Sequence, residues 1–379
     1  MASAAEPASS TNTKGAERKG RLLVYGATGH TGKLVARKVK EVGLNATLAG
    51  RNEEKLRAIA EEVGLPYEAF DLTNEKALSA AVASHEAVLH IAGPFTETGP
   101  PVVESCIEHG AHYMDITGET HFMGFVQGKD AAAKAKGVML LPAVGFDVVP
   151  GDCLGAHLKE KLPTATHLDL ESFIMRNGTG VLASKGTMLS GAFHILPFGG
   201  LERKDGAFKK AAIGAKHRSF EIGDGGKPVP GFSFPAAELI ATAHSTNIPN
   251  ITTYFPGSKS AAWPAYMLSL LGPGVVSSWP LRALITRSIR SLPEPSTEKA
   301  KASKMLGAAE VRDEKTGRSA RASIQVNEGY GFTASSACEV ARRVLDGQVK
   351  PGFQTPASAF GSSLVLNIPG EEAVLRDLP

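Results

Sequence analysis

From Leu22 onward, short apolar runs alternate with stretches of helical period. Segments 22–25, 46–49, 66–70, 87–91, 112–116 and 138–141 have strand length and few charges. Between them, Leu34, Val35, Val39 and Val42, then Leu56, Ile59, Ala60 and Val63, then Val103, Cys106 and Ile107, recur at the three- and four-residue spacing of helices. The third of these helices is expected over 101–109, and another over 130–136. Strands alternating with helices in this way imply right-handed crossovers and a mostly parallel sheet.

The second half has a different rhythm. A helix is expected at 149–162, a half-buried strand at 168–174, a helix opening at 184–188 and a strand at 251–255. Segments 307–312 and 318–326 form a hairpin pattern around Lys315-Thr316-Gly317, and 333–345 is a late helix. The Gly- and Lys-rich stretch 204–227 is expected to be an exposed excursion, and 352–357 to close the fold against the first half. The organisation expected is a disordered segment 1–19, a Rossmann-type domain 20–148, a mixed α+β substrate domain 149–332, and a segment 333–379 returning to the first domain.

Segment 260–281 carries no charge and is rich in Trp, Tyr, Met, Leu and Val. A membrane-spanning helix needs about 20 continuous apolar residues, but Gly272-Pro273-Gly274 interrupts the middle, so spanning is excluded. In the continuation, Leu281, Leu284, Ile285, Ile289 and Leu292 share one face, and Arg282, Arg287 and Arg290 another. Such a helix suits a membrane surface or the cover of an apolar pocket. A homodimer interface or an ordinary core suits it as well.

Composition adds mainly exclusions. The 379 residues, 42% hydrophobic and 21% charged, suffice for two domains. A net charge of +3 with no dense basic block gives no case for nucleic acid. Cys106, Cys153 and Cys338 are far apart without metal-ligand spacing, so no metal site is expected, and reduced thiols point to a cytoplasmic setting. The first twenty residues lack the apolar stretch of a secretory signal.

The chemistry concentrates where the first strand meets the first helix. Gly26, Gly29 and Gly32 stand in a G-x-x-G-x-x-G spacing, in which small residues let the backbone approach a pyrophosphate. Thr28, His30 and Thr31 complete the turn. The second strand ends in Gly50 and Arg51 with no acid before Glu53. A carboxylate there would bond the ribose 2′-OH of NAD, whereas an arginine accommodates the 2′-phosphate of NADPH. Arg51 as a plain solvent-facing loop residue is the alternative. Asp71 follows the third strand and either meets the adenine amino group or caps the next helix. Ala92, Gly93 and Pro94 leave the fourth strand at the crevice, where glycine lets a ribose or nicotinamide lie against the backbone. His90, in an apolar strand, reads as a core histidine.

Candidate proton or oxyanion donors are Tyr113, Lys185, Asp147 and Glu119, the acids if burial raises their pKa; none stands out, and backbone groups and water are expected to serve rather than one indispensable acid. Asp147, after the last strand of the first half, binds substrate or a ribose, or caps the helix that follows. Lys185 holds a carbonyl or phosphate, or is a solvated residue at a helix start. No tyrosine has a lysine four residues later, which excludes the short-chain dehydrogenase arrangement.

The succession GATGHTG, AGR, AGPF, HYMDITGE and VGFDVVPGD, followed by SKGTM, GYGFTASSA and PGFQTPASAFG, resembles the saccharopine dehydrogenase-like NAD(P) oxidoreductases over nearly the whole chain. The trans-acting enoyl reductase branch is the most similar. The resemblance implies a Rossmann domain, a mixed-sheet substrate domain and a helix returning late to the first domain. The resulting expectation is NADPH-dependent reduction of a C=C bond in an apolar acyl or polyketide-type substrate, carried by a polyketide synthase. Carbonyl or imine reduction is the runner-up. A membrane- or lipid-droplet-associated protein that keeps NADPH binding is the rival of another class.

Overall fold

The computed structural model describes residues 20–175, 185–223, 225–276, 278–291 and 304–379. The expected segment 1–19 lies outside these residues. Six strands of the first half, β1 (Gly20–Tyr25), β2 (Ala46–Gly50), β3 (Tyr67–Ala69), β4 (His85–His90), β5 (His112–Asp115) and β6 (Met139–Leu141), form one parallel sheet. Its spatial order is β6-β5-β4-β1-β2-β3. The order reverses between β1 and β4, the switch point where open α/β sheets bind ligands beyond their carboxyl ends.

Both faces of this sheet are covered, as parallel sheets require. Leu22 and Val24 point into one core beside Val35 and Val39 of helix α1 (His30–Glu41). Leu23 and Tyr25 point into the other, with Val102 and Val103 of helix α4 (Phe95–His109). The late helix Gly329–Leu345 joins the first core through Val340, Ala341 and Val344. The short strand Gly352–Phe353 then pairs with β6, so this part of the chain does close against the first half.

A second, mixed sheet is built from strands distant in sequence. Strand His167–Met175 pairs in parallel with Asn250–Pro256 and antiparallel with Met305–Arg312, which forms the expected hairpin with Ser319–Val326. Helix α7 (Val149–Lys161) covers it, and Leu154 and Leu158 share a core with Leu168, Leu170 and Val311.

Four features differ from the sequence reading. The stretch 204–227 is largely exposed, as expected, but it is not irregular: strands Ala207–Ala211 and His217–Phe220 run through it, with Lys209 and Lys210 exposed and Ile213, Phe220 and Ile222 buried. Helix α4 starts at Phe95, well before residue 101, because a remote carboxylate caps it. Helix α5 (Thr120–Gly128) was not anticipated. The final strand Val374–Leu378 joins the mixed sheet at the edge of Ser319–Val326, so segment 333–379 serves both sheets.

Candidate active site

The loops after β4, β1 and β2 meet at the switch point. Gly26 has φ +100°, and a Cβ there would lie 2.7 Å from the Ala92 nitrogen, so only glycine lets the turns after β1 and β4 touch. A Cβ on Gly32 would collide with the Gly26 carbonyl oxygen, so that glycine seats α1 against the turn. Gly29 has a different surrounding. Its nearest neighbour to such a Cβ is 3.5 Å away, and the space beside it is open. Gly29 is the N-cap of α1 and offers no side-chain bond, and the first turn holds no acid. The N–H groups of His30, Thr31 and Gly32 therefore begin a helix that the protein does not cap, the geometry that receives a phosphate.

Arg51 and Asp71 lie beyond β2 and β3. Arg51 is exposed and makes no ion pair among the described residues. Asp71 does not cap the following helix; Asn74 does, accepting from the Ala77 N–H. Thr73 donates its N–H (2.9 Å) and hydroxyl (2.8 Å) to Asp71 Oδ1. These bonds, with Arg51 nearby, hold the Asp71 carboxyl below its ordinary range. The end of the sheet nearest β3 thus presents a cation above an exposed carboxylate. Thr28 lies between the two loops, its hydroxyl oxygen 3.9 Å from the position of a Cβ on Gly50.

On the other side of the switch point, Ala92, Gly93 and Pro94 form a braced wall. The Thr98 hydroxyl sits 3.0 Å from His90 Nε2 and 2.9 Å from the Pro94 carbonyl. His90 is fully buried, and that burial lowers its pKa to about 3, so it stays neutral in the core.

Glu119 caps α4 from the loop after β5. Its Oε1 accepts from the Phe95 N–H (3.0 Å) and the Ser190 hydroxyl (2.8 Å). Its Oε2 accepts from the Thr96 N–H (2.8 Å) and hydroxyl (2.6 Å). With both oxygens engaged and only 1% of its surface exposed, Glu119 is a structural cap, not the donor the sequence allowed. The acid four residues after β5 and the remote helix start gave no local signal that they meet.

Asp115, unremarked in the sequence, pins the same region. Its Oδ1 accepts from the N–H groups of Thr117 and Ala143 (both 2.8 Å), tying the loop after β5 to the loop after β6. Burial pushes its pKa up to about 7. Tyr113 is sealed beside it, with no exposed surface, and burial raises its phenol well above its ordinary pKa. It faces the strand core because its side chain alternates with Met114, and it cannot touch a substrate there.

Asp147 differs from both acids. It is half-buried, accepts no hydrogen bond among the described residues, and does not cap α7, whose N-cap is Val148. Its carboxyl packs on Gly118, where a Cβ would lie 2.6 Å from Oδ2. Desolvation raises its pKa to about 6. Lys185 opens a short helix ending at Ser190, but its side chain lies outside the described residues, as does Ser184.

The carboxyl edge of the parallel sheet therefore carries a cation at the β2 end, an uncapped helix start at the switch point, and, at the β6 end, a carboxyl with no hydrogen-bond partner among the described residues. Four strand spacings separate the ends, about 19 Å. This is a dinucleotide-binding fold of the doubly wound kind. Comparison with known proteins narrows the class: residues 22–141 match the saccharopine dehydrogenase NADP binding domain.

The human saccharopine dehydrogenase-like oxidoreductase is 32% identical over 180 residues, covering 42% of this chain and 41% of the relative. A trans-acting enoyl reductase of Mycobacterium tuberculosis is 35% identical over 145 residues, 36% of this chain and 35% of the relative. The alignments thus span less than half the length of these relatives. Saccharopine dehydrogenase (L-Glu forming) from Saccharomyces cerevisiae shares the fold, with a TM-score of 0.60 at 13% identity over 95% of this chain and all of that one.

Proposed function

We propose that the chain is an NADPH-dependent reductase that saturates a polarised C=C bond in an apolar acyl substrate. The observation that carries this reading is the half-buried Asp147 carboxyl, without a hydrogen-bond partner among the described residues, at the far end of the crevice from Arg51. Arg51 pairs with the adenosine 2′-phosphate, and the N–H groups of His30, Thr31 and Gly32 hold the pyrophosphate. Thr28 and Asp71 flank the adenosine half, and Ala92, Gly93 and Pro94 back the nicotinamide half.

When bound, NADPH would supply the hydride that the β-carbon of the acceptor takes up. Asp147, kept protonated to about pH 6, donates its proton to the α-carbon as the enolate collapses. The two transfers together add hydrogen across the double bond. Asp147 then regains a proton from water, which its partial exposure permits. Glu119 and Asp115 hold the surrounding loops. The names of the enoyl reductase relatives support the C=C acceptor, and their description as trans-acting motivates an acyl thioester as the probe.

NADPH oxidation is measured with an α,β-unsaturated thioester, a ketone and an imine. Turnover of the thioester is expected. Turnover of only the ketone or imine sinks the C=C reading and leaves carbonyl or imine reduction. Asp147→Asn is expected to lower kcat about 100-fold with NADPH affinity unchanged. In the wild type kcat declines as pH rises through about 6, because the acid form is the donor. The decline vanishes in Asp147→Asn.

A further inference from the structure

The described residues expose eleven large hydrophobic side chains, and seven lie between residues 259 and 291. Helices Lys259–Val276 and Trp279–Ser291 carry them, broken at Gly272, which adopts φ +71°. Trp279 is 83% exposed and Trp263 63%, beside Leu270, Leu271, Val275 and Leu284. Tryptophan is highly buried on average in globular proteins, and a contiguous patch of this kind marks an interaction surface.

The inner face of the pair is already occupied. Ala262 and Ala265 pack with Ile213 and Phe232, while Val276, Ile285 and Ile289 pack with Leu189, Ala192 and Phe193. Arg282 is also turned inward, 3.7 Å from Glu97 and 5.0 Å from the centre of the Phe193 ring. In the second helix, Trp279, Leu284, Arg287 and Arg290 fall within one arc of about 140° at 3.6 residues per turn, opposite Ile285 and Ile289. Leu284 therefore leaves the apolar face assigned from sequence and joins the outer one.

The charge of this surface selects the occupant. Segment 259–291 holds Lys259, Arg282, Arg287 and Arg290 and no acid. Arg287 and Arg290 are exposed and have no ion pair among the described residues. A second copy of the same face would set these cations against one another. An anionic bilayer meets all three features: acyl chains for the aliphatic side chains, the interface for the tryptophans, and phosphate headgroups for the arginines. No helix among the described residues is long and apolar enough to cross a membrane, so contact is from one side.

We infer that the outer face of residues 259–291 docks the protein onto an anionic phospholipid surface. The test is flotation of the full chain with NADPH on phosphatidylcholine vesicles with or without phosphatidylserine, at low and raised salt. Binding is expected only with phosphatidylserine and weakens with salt. Arg287→Glu with Arg290→Glu is expected to lower vesicle affinity roughly tenfold or more. Trp279→Ala with Leu284→Ala is expected to abolish flotation, with NADPH affinity kept in both. Absence of flotation, equal flotation on neutral vesicles, or variants that float like the wild type overturns the inference. So does a lipid-free dimer that Trp279→Ala dissolves, since that assigns the face to self-association.

Discussion

Helices α1 and α4 both begin on the lip of the crevice, after adjacent strands of one sheet, yet their first turns are treated in opposite ways. At α4, Glu119 reaches across from the loop after β5 and occupies the Phe95 and Thr96 N–H groups with both oxygens. At α1, the N-cap is a glycine with open space around it and no acid in the turn. Each helix presents the same unsatisfied N–H groups and the same positive end of its dipole. One is neutralised permanently by the protein, which makes the 92–94 loop a fixed wall. The other is left for a bound phosphate. The crevice thus shows how a single physical feature serves rigidity in one place and ligand binding in the next.

Removing the internal cap has the largest expected effect. Glu119→Ala leaves two N–H groups and two hydroxyls without their acceptor and is expected to lower stability by about 3 kcal/mol, read from urea unfolding. A loss below about 0.5 kcal/mol would show that water replaces the carboxylate and that the wall does not depend on it.

Supplying α1 with the cap it lacks comes next. Gly29 has φ −71° and ψ 172°, a conformation any residue adopts. Gly29→Asp is expected to stabilise the ligand-free protein by a few tenths of a kcal/mol up to about 1 kcal/mol. The same carboxylate repels the cofactor phosphates and is expected to weaken NADPH binding about 100-fold. Opposite signs on stability and affinity distinguish a reserved phosphate site from an ordinary glycine turn. The smallest effect is at the end of the sheet: Arg51→Ala is expected to weaken NADPH about tenfold while leaving NADH unchanged. An unchanged ratio between the two cofactors removes Arg51 from the 2′-phosphate.

The same contrast explains what the sequence disclosed. The glycine turn, Arg51 and the strand order are local properties: the spacing of Gly26 and Gly32, the residue ending β2, and the alternation of strands and helices. They were legible because neighbours in sequence determine them. The cap on α4 joins residues 24 apart, and Asp115 reaches Ala143 across 28. Nothing in the composition of either loop announces such pairs. For the same reason three acidic or phenolic candidates looked equivalent in sequence. Burial then sealed Tyr113, hydrogen bonds occupied Glu119, and among the described residues Asp147 kept a carboxyl with no hydrogen-bond partner. In the mixed sheet the glycines and lysines of 204–227 suggested an exposed excursion, whereas the stretch also pairs into strands and buries Ile213, Phe220 and Ile222.

Amide hydrogen exchange tests the contrast between the two helix starts most directly, with and without saturating NADPH. The N–H groups of Thr31 and Gly32 should exchange quickly in the free protein and slow markedly on NADPH addition. Those of Phe95 and Thr96, already bonded to Glu119, should be protected in both states. Unchanged exchange at residues 31–32 with NADPH bound would contradict the assignment of the α1 start to the cofactor phosphates.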